Sequence, residues 1–272
     1  MMRSASTRRA STSIRAVLGL CVLGLLAGLP AAASAAPTVT LKATPVPIPI
    51  NLSNPHSATY PGTGAIYGAP FAAELELSIH GSEYGGAPSP ITQIKGWVPA
   101  GVKLSMKGLA TCTEVTIREK GPEACPQKSF AGAQGEALGQ VSFGSERVHE
   151  TVSLQAFFAP GGGLFVFADG RTPAVIEIIS TGTVSKASGP FSEMFTGEVP
   201  LVESVPGALD ASVEFIKFKI GTAYMQGKRL ISYLTAPKTC PQGGFPVKTE
   251  VTFLSGATVP AAYTYPCPRH KK

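Results

Sequence analysis

The stretch from Gly96 to Gly132 constrains the fold more than any other part of this chain, because it holds Cys112 and Cys125 on either side of a helix signal. Thr111 and Glu114 stand at capping-box spacing, where the hydroxyl can bond the N3 amide and the carboxylate can reach back. Gly121 followed by Pro122 is a stop signal. The spacing predicts a short helix from about Cys112 to Lys120, then a turn that returns the chain to Cys125. The alternation of Val115 and Ile117 is the competing strand reading. A disulfide across this interval would close a loop of about 14 residues, which the chain-entropy account values at roughly 3 kcal/mol.

Cys240 and Cys267 form the second expected pair. Val247 to Leu254 and Thr258 to Tyr265 flank the turn Ser255-Gly256-Ala257, so folding about it sets Cys267 opposite roughly Phe245, a few residues from Cys240. Four cysteines allow three pairings, and this one satisfies local geometry without a long-range assumption. None of the four forms a C-x-x-C pair. Zinc and thioredoxin-like chemistry therefore lack their usual signatures, and neither a metal nor a cofactor is expected.

The fifth cysteine, Cys21, falls within residues 1–35, which carry the pattern of an export signal. Arg3, Arg8, Arg9 and Arg15 supply the positive end, Ala16 to Leu29 the apolar core, and Ala33-Ser34-Ala35 the small-residue cleavage site. An uncleaved anchor is the alternative, since alanines beyond Pro30 extend the apolar run towards the ~20 residues that span a bilayer. Cleavage leaves 237 of the 272 residues and no membrane span. It also removes four of the 23 basic side chains, leaving 19 against 17 acidic ones, and Arg269, Lys271 and Lys272 lie in a short basic tail at 269–272. The body is close to neutral, so the high isoelectric point does not point to a nucleic-acid partner.

With 15% charged and 44% hydrophobic residues, 30 Gly and 24 Pro, the composition fits a turn-rich β protein rather than a helical enzyme. Residues 36–70 form an extended, Pro/Gly-rich N-terminal segment. In it Thr38 to Ala43 alternates as a strand, Pro45, Pro47 and Pro49 impose an edge-like path, and Asn51 to Pro70 is a loop. Residues 71–268 then carry strand patterns at Phe71–Ile79, Ile91–Trp97, Gly135–Phe143, Arg147–Ala159, Leu164–Asp169, Pro173–Ser180, Phe191–Val199, Ala211–Ile220 and Arg229–Leu234, ahead of the final hairpin. Gly182 to Gly189 is expected as a polar loop. Phe215-Ile216 breaks the alternation of its strand, which a β-bulge would reconcile. The expected fold is mainly β, an antiparallel β-sandwich with one short helical insertion braced by disulfides.

Few residues carry chemistry. Glu74, Glu76 and His80 share one face of Phe71–Ile79 and could bind a metal or share acid–base work, but a solvated strand face is the preferred account of them. Glu150 lies on the same face as Val148, Val152 and Leu154. Glu177 is bracketed by Val175, Ile176, Ile178 and Ile179, which predicts either an ion pair with Lys217 or Lys219 or a raised pKa. Trp97, the only tryptophan, is expected in the core, with a sugar-stacking platform as the alternative. There is no G-x-S-x-G elbow, and Ser153 stands where a second zinc-protease histidine would follow His149-Glu150.

Pro99-Ala100-Gly101-Val102, Cys112, Gly121-Pro122, Ala124-Cys125-Pro126, Phe158-Ala159-Pro160-Gly161-Gly162-Gly163 and Pro237 with Cys240 together resemble a group of exported actinobacterial proteins of uncharacterised activity. The resemblance implies an extracellular location and a structural role for the cysteines. The expected function is that of an exported, non-catalytic surface or extracellular protein. It would play a structural or binding role at the cell envelope, its partner an envelope polymer or another surface protein. A secreted, glycosidase-like hydrolase using a glutamate pair is the alternative. An outer-membrane barrel ranks third, since neither aromatic girdles nor regular strand lengths are visible.

Overall fold

The structure, a computed structural model, describes residues 36–48 and 68–267. The export signal, the loop over 51–67 and the basic tail at 269–272 lie outside them. In chain order the elements are β1 (Thr38–Pro47), β2 (Phe71–His80), β3 (Ile91–Pro99), β4 (Lys103–Leu104), α1 (Glu114–Lys120), β5 (Gly135–Phe143), β6 (Glu146–Phe158), β7 (Leu164–Gly170) and β8 (Ile176–Lys186). They continue with β9 (Phe191–Glu198), β10 (Ser212–Ile220), β11 (Ala223–Gln226), β12 (Arg229–Ser232), β13 (Leu234–Thr235), β14 (Phe245–Phe253) and β15 (Thr258–Tyr265).

Eleven of the strands form one antiparallel sheet in the order β1-β2-β10-β5-β6-β7-β8-β9-β3-β14-β15. It curls so far that its end strands β1 and β15 lie alongside each other, with Cα atoms within 8 Å, yet no ladder joins them. The result is a nearly closed, barrel-like sandwich. Pro45, Pro47 and Pro260 lack the amide that a ladder needs, so the sequence keeps both edges from pairing.

Alternation along each strand decides what faces inward. On β2, Leu75, Leu77 and Ile79 point in while Glu74 and Glu76 point out, and the register sets Lys219 of β10 opposite Glu74 and Lys217 opposite Glu76. The bulge lies between Val213 and Phe215 in the β5–β10 ladder, just before the expected Phe215-Ile216 position. Beyond it, Ile216, Phe218 and Ile220 line the interior. On β2 and β10 the outer face is charged and the inner face apolar, whereas the outward band of a transmembrane barrel is apolar. Among the described residues no helix is long and apolar enough to cross a membrane.

The middle of the sheet is apolar on both faces. Inward, Ala156, Phe158 and Leu164 join the core; outward, Phe157, Phe167 and Ile179 pack with Ile117 of α1 and with Cys112 and Cys125. The helical insertion therefore roofs the outer face of β6–β8. Cys112 and Cys125 are joined with Cα atoms 5.4 Å apart, and Cys240 and Cys267 with Cα atoms 5.9 Å apart.

The helix starts later than the capping-box spacing predicts. Its cap is Thr113, which accepts from the Thr116 amide, and Glu114 in the first turn pairs with Arg118 four residues on. The Cys112 amide donates to the Phe158 carbonyl at 2.9 Å and its sulfur is locked to Cys125, so this residue is held against the end of β6 and cannot join a helix.

Two further differences from the sequence reading follow from tertiary pairing. β8 runs on through Lys186, where a polar loop is expected from Gly182, because Thr183 and Ser185 find partners across β9. The hairpin of β11 and β12 is not marked by any long alternating run. It packs beside the short β4–β13 ladder, and this region, including Val102, Tyr233 and Leu234, plugs the end of the barrel that carries Phe71, Phe158 and Leu164.

Candidate functional site

The plug and the inward faces of the strands line a cavity of about 340 Å³ that is partly open to the surface. That falls in the range of small-molecule sites, roughly 300–1,000 Å³. Its walls include Leu75, Ile94, Val166, Ile178, Phe195 and Phe218, and nearly all of the lining is apolar. Such inward residues are only partly buried because they face this space rather than one another.

Three glycines shape the cavity. Gly182 of β8 and Gly197 of β9 stand opposite each other. The end of the Phe195 ring covers both, so a methyl group at Gly182 would meet ring carbon Cε2 and one at Gly197 ring carbon Cε1. Covering a bare glycine with an aromatic ring keeps this part of the sheet paired and draws the ring towards the wall. Gly96, which pairs with Phe195 from β3, faces the cavity directly, and a methyl group there would touch nothing within 4 Å.

The polar groups of the lining are mostly committed elsewhere. Thr249 Oγ1 donates to the Lys95 carbonyl at 2.7 Å. The Lys248 ammonium is held by Glu250 at 2.7 Å and lies 4.4 Å from the centre of the Trp97 ring. Trp97 is thus half-buried beside Phe191 rather than part of a core cluster, and its accessible ring face is taken by a lysine.

The carboxylates singled out in the sequence do not converge on this cavity or on one another. Glu74 and Glu76 lie on the outer face, Glu74 tied to Lys219 at 3.0 Å and Glu76 to Lys217 at 3.2 Å and Lys42 at 3.3 Å. The Lys217 ammonium, followed by Lys42, holds the Glu76 carboxyl below its ordinary range despite some burial. Both are occupied in a surface ladder, and His80 is exposed at its end. Glu177 is exposed and its partner is Arg171 at 2.9 Å, which also binds Asp169 at 2.8 Å, not Lys217 or Lys219. Its strand is apolar on both faces because α1 covers one of them, but Glu177 projects beyond that cover.

Glu150 alone is inside, only 3% exposed, near Val141, Ala174 and Ile176. Its Oε2 accepts from the Ala174 amide at 3.2 Å, while Oε1 has no hydrogen-bond partner. Burial pushes its pKa up, against the opposing pull of backbone amides. Its neighbour His149 faces outward to Glu214 at 3.2 Å, so the two cannot act together. Among the described residues no cluster of His, Cys, Asp and Glu forms a metal site.

The cavity itself escaped the sequence reading. The available signal was a set of glycines at inward positions of long strands, at Gly96, Gly182 and Gly197, but its meaning depends on which strands become neighbours. Fold and site together define a disulfide-braced, barrel-like β protein with an apolar interior chamber. The chain matches no protein-family model, no curated protein and no solved structure.

Proposed function

We propose that this is an exported, non-catalytic binding protein that holds an apolar ligand from the cell envelope inside its barrel. The cavity carries this reading. An apolar lining offers ordered water few polar partners and favours apolar guests. Three observations support the reading further: Gly96 leaves open space where a larger side chain would fill the chamber, the outer face of β2 and β10 is charged, and two disulfides suit an oxidising compartment. No specific observation favours the hydrolase, since its glutamates are spread over both faces of the sheet.

The test is to incubate the purified mature protein with a lipid extract of the source's envelope, re-isolate it, and weigh it by native mass spectrometry. A Gly96→Leu variant, with the chamber partly filled, serves as control. The wild type should carry apolar adducts that the variant lacks. Equal loading of the two proteins, or no loading of either, would refute the proposal.

A further inference from the structure

The two ends of the barrel carry opposite charge. The plug is built from residues 101–110 and 221–244, and neither stretch contains an acidic side chain. Its cations are Lys103, Lys107, Lys228, Arg229 and Lys238, all exposed. Lys128 joins them, its ammonium 4.9 Å from the centre of the Tyr224 ring in β11. Among the described residues none of these six forms an ion pair. The acidic residues nearest in sequence, Glu114, Glu119 and Glu123, belong to α1 and the turn after it, which also hold Arg118 and Lys120 and cover the side of the barrel. The opposite end carries Glu83, Glu146, Glu203 and Asp210 against Arg147, while Arg171 is taken by Asp169 and Glu177. Cations gathered on one face without partners leave a positive field that an anionic surface would neutralise.

The chamber lies towards that same end. Its lining includes Val102, Leu104, Leu234 and Pro237 of the plug. At the far end Val39, Ile79, Val251 and Phe253 are buried against one another, and none of them borders the cavity. An apolar side chain also stands among the cations. The β11–β12 hairpin turns at Gly227-Lys228, and Leu230, next to Arg229, is 42% exposed. Two cations followed by an exposed leucine at a hairpin tip suit the boundary between lipid headgroups and acyl chains, where charge attraction and buried apolar area add. A soluble anionic polymer would use the cations and leave the leucine in water.

We infer that the plug face docks on a lipid bilayer rich in anionic headgroups, with the β11–β12 tip at the bilayer surface, so that the chamber is brought against the membrane that holds its ligand. The inference rests on the cavity reading for the origin of that ligand. Docking itself needs no ligand, so the two fail separately.

The experiment sediments the purified mature protein at low salt with vesicles of phosphatidylcholine, either alone or mixed with an equal amount of phosphatidylglycerol. The protein should bind the mixed vesicles and not the neutral ones. A cation near an anionic leaflet is worth about fivefold in affinity, so the Lys228→Gln, Arg229→Gln pair should weaken binding about tenfold to thirtyfold. A Lys42→Gln, Lys95→Gln control removes the same charge from β1 and β3 and should change binding by less than about threefold. Leu230→Ser should weaken it about threefold to tenfold. No binding to the mixed vesicles, equal binding to the neutral ones, or equal weakening by the control pair overturns the inference. So does unchanged vesicle binding in Leu230→Ser with equally tight binding of soluble polyphosphate, which would assign the face to an anionic polymer. Each of these results leaves the apolar chamber standing, because lipid adducts on the protein test it independently.

Discussion

The sheet carries two apolar surfaces back to back, and the chain treats them differently. Outside, over β6–β8, Phe157 is 0% exposed beneath α1, and Phe130 meets it with ring centroids 4.7 Å apart. Inside, Phe195 and Phe218 are only partly buried, although they lie within the barrel. The chain supplies a helix and a disulfide to fill the first surface and glycines to keep the second open. Close packing is therefore available to this sequence, and the interior departs from it at particular positions. A departure of that kind is what a binding chamber requires and what a purely structural domain avoids.

The largest effect should come from breaking the filled surface. Phe157→Ala removes a fully buried ring from between Phe130 and the disulfide and should cost about 3–5 kcal/mol in urea unfolding. A loss below about 1 kcal/mol would mean that the outer layer is not the tight core described. The Cys112→Ser, Cys125→Ser pair should follow at about 2–5 kcal/mol, because it frees the loop that roofs the same surface. An unchanged midpoint would show that α1 docks without its brace.

The inner surface should respond with the opposite sign. Gly96→Leu adds a side chain where nothing lies within 4 Å and replaces a poor strand former, so it should raise stability by about 0.5–2 kcal/mol while ligand binding is lost. A destabilised variant would mean that the space is not open. Gain of stability with loss of binding is the signature of a chamber kept unfilled for a purpose.

How far the sequence alone leads differs between the two surfaces. Most of the long strands, the final hairpin, the presence of a helix before Gly121 and both cysteine pairs were legible because each rests on local signals such as alternation, a turn of Gly and Ser and a Gly-Pro stop, although the cap lies at Thr113 rather than Thr111. The chamber was not, because Gly96, Gly182 and Gly197 acquire their role only when β3, β8 and β9 become neighbours across distant parts of the chain. The same limit explains Glu177. Its apolar neighbours were visible, but its position just outside the shelter of α1 was not, nor was Arg171 as its partner. Tyr233 falls between two short strands without a pattern of its own, and only its packing on Phe158 shows that it belongs to the plug.

The smallest expected effect concerns Glu150, the buried carboxylate of β6. Burial raises the Glu150 pKa above the ordinary 4.5, so the folded state holds this proton more tightly than the unfolded chain does. Between those two values the folded state binds more protons, and stability must fall as pH rises through that window. The contribution is whole below the ordinary value and lost above the raised one. Glu76, whose pKa is lowered, works in the other direction and loses its contribution as pH falls. The raw profile mixes the two, but the difference between wild type and Glu150→Gln isolates the buried group. That difference should be smallest in acid and grow in favour of the glutamine variant towards neutrality, read as urea midpoints across the pH series. A difference independent of pH would place the Glu150 charge in water, and the inner face at that end of the barrel would then be open to solvent rather than closed around Val141 and Ile176.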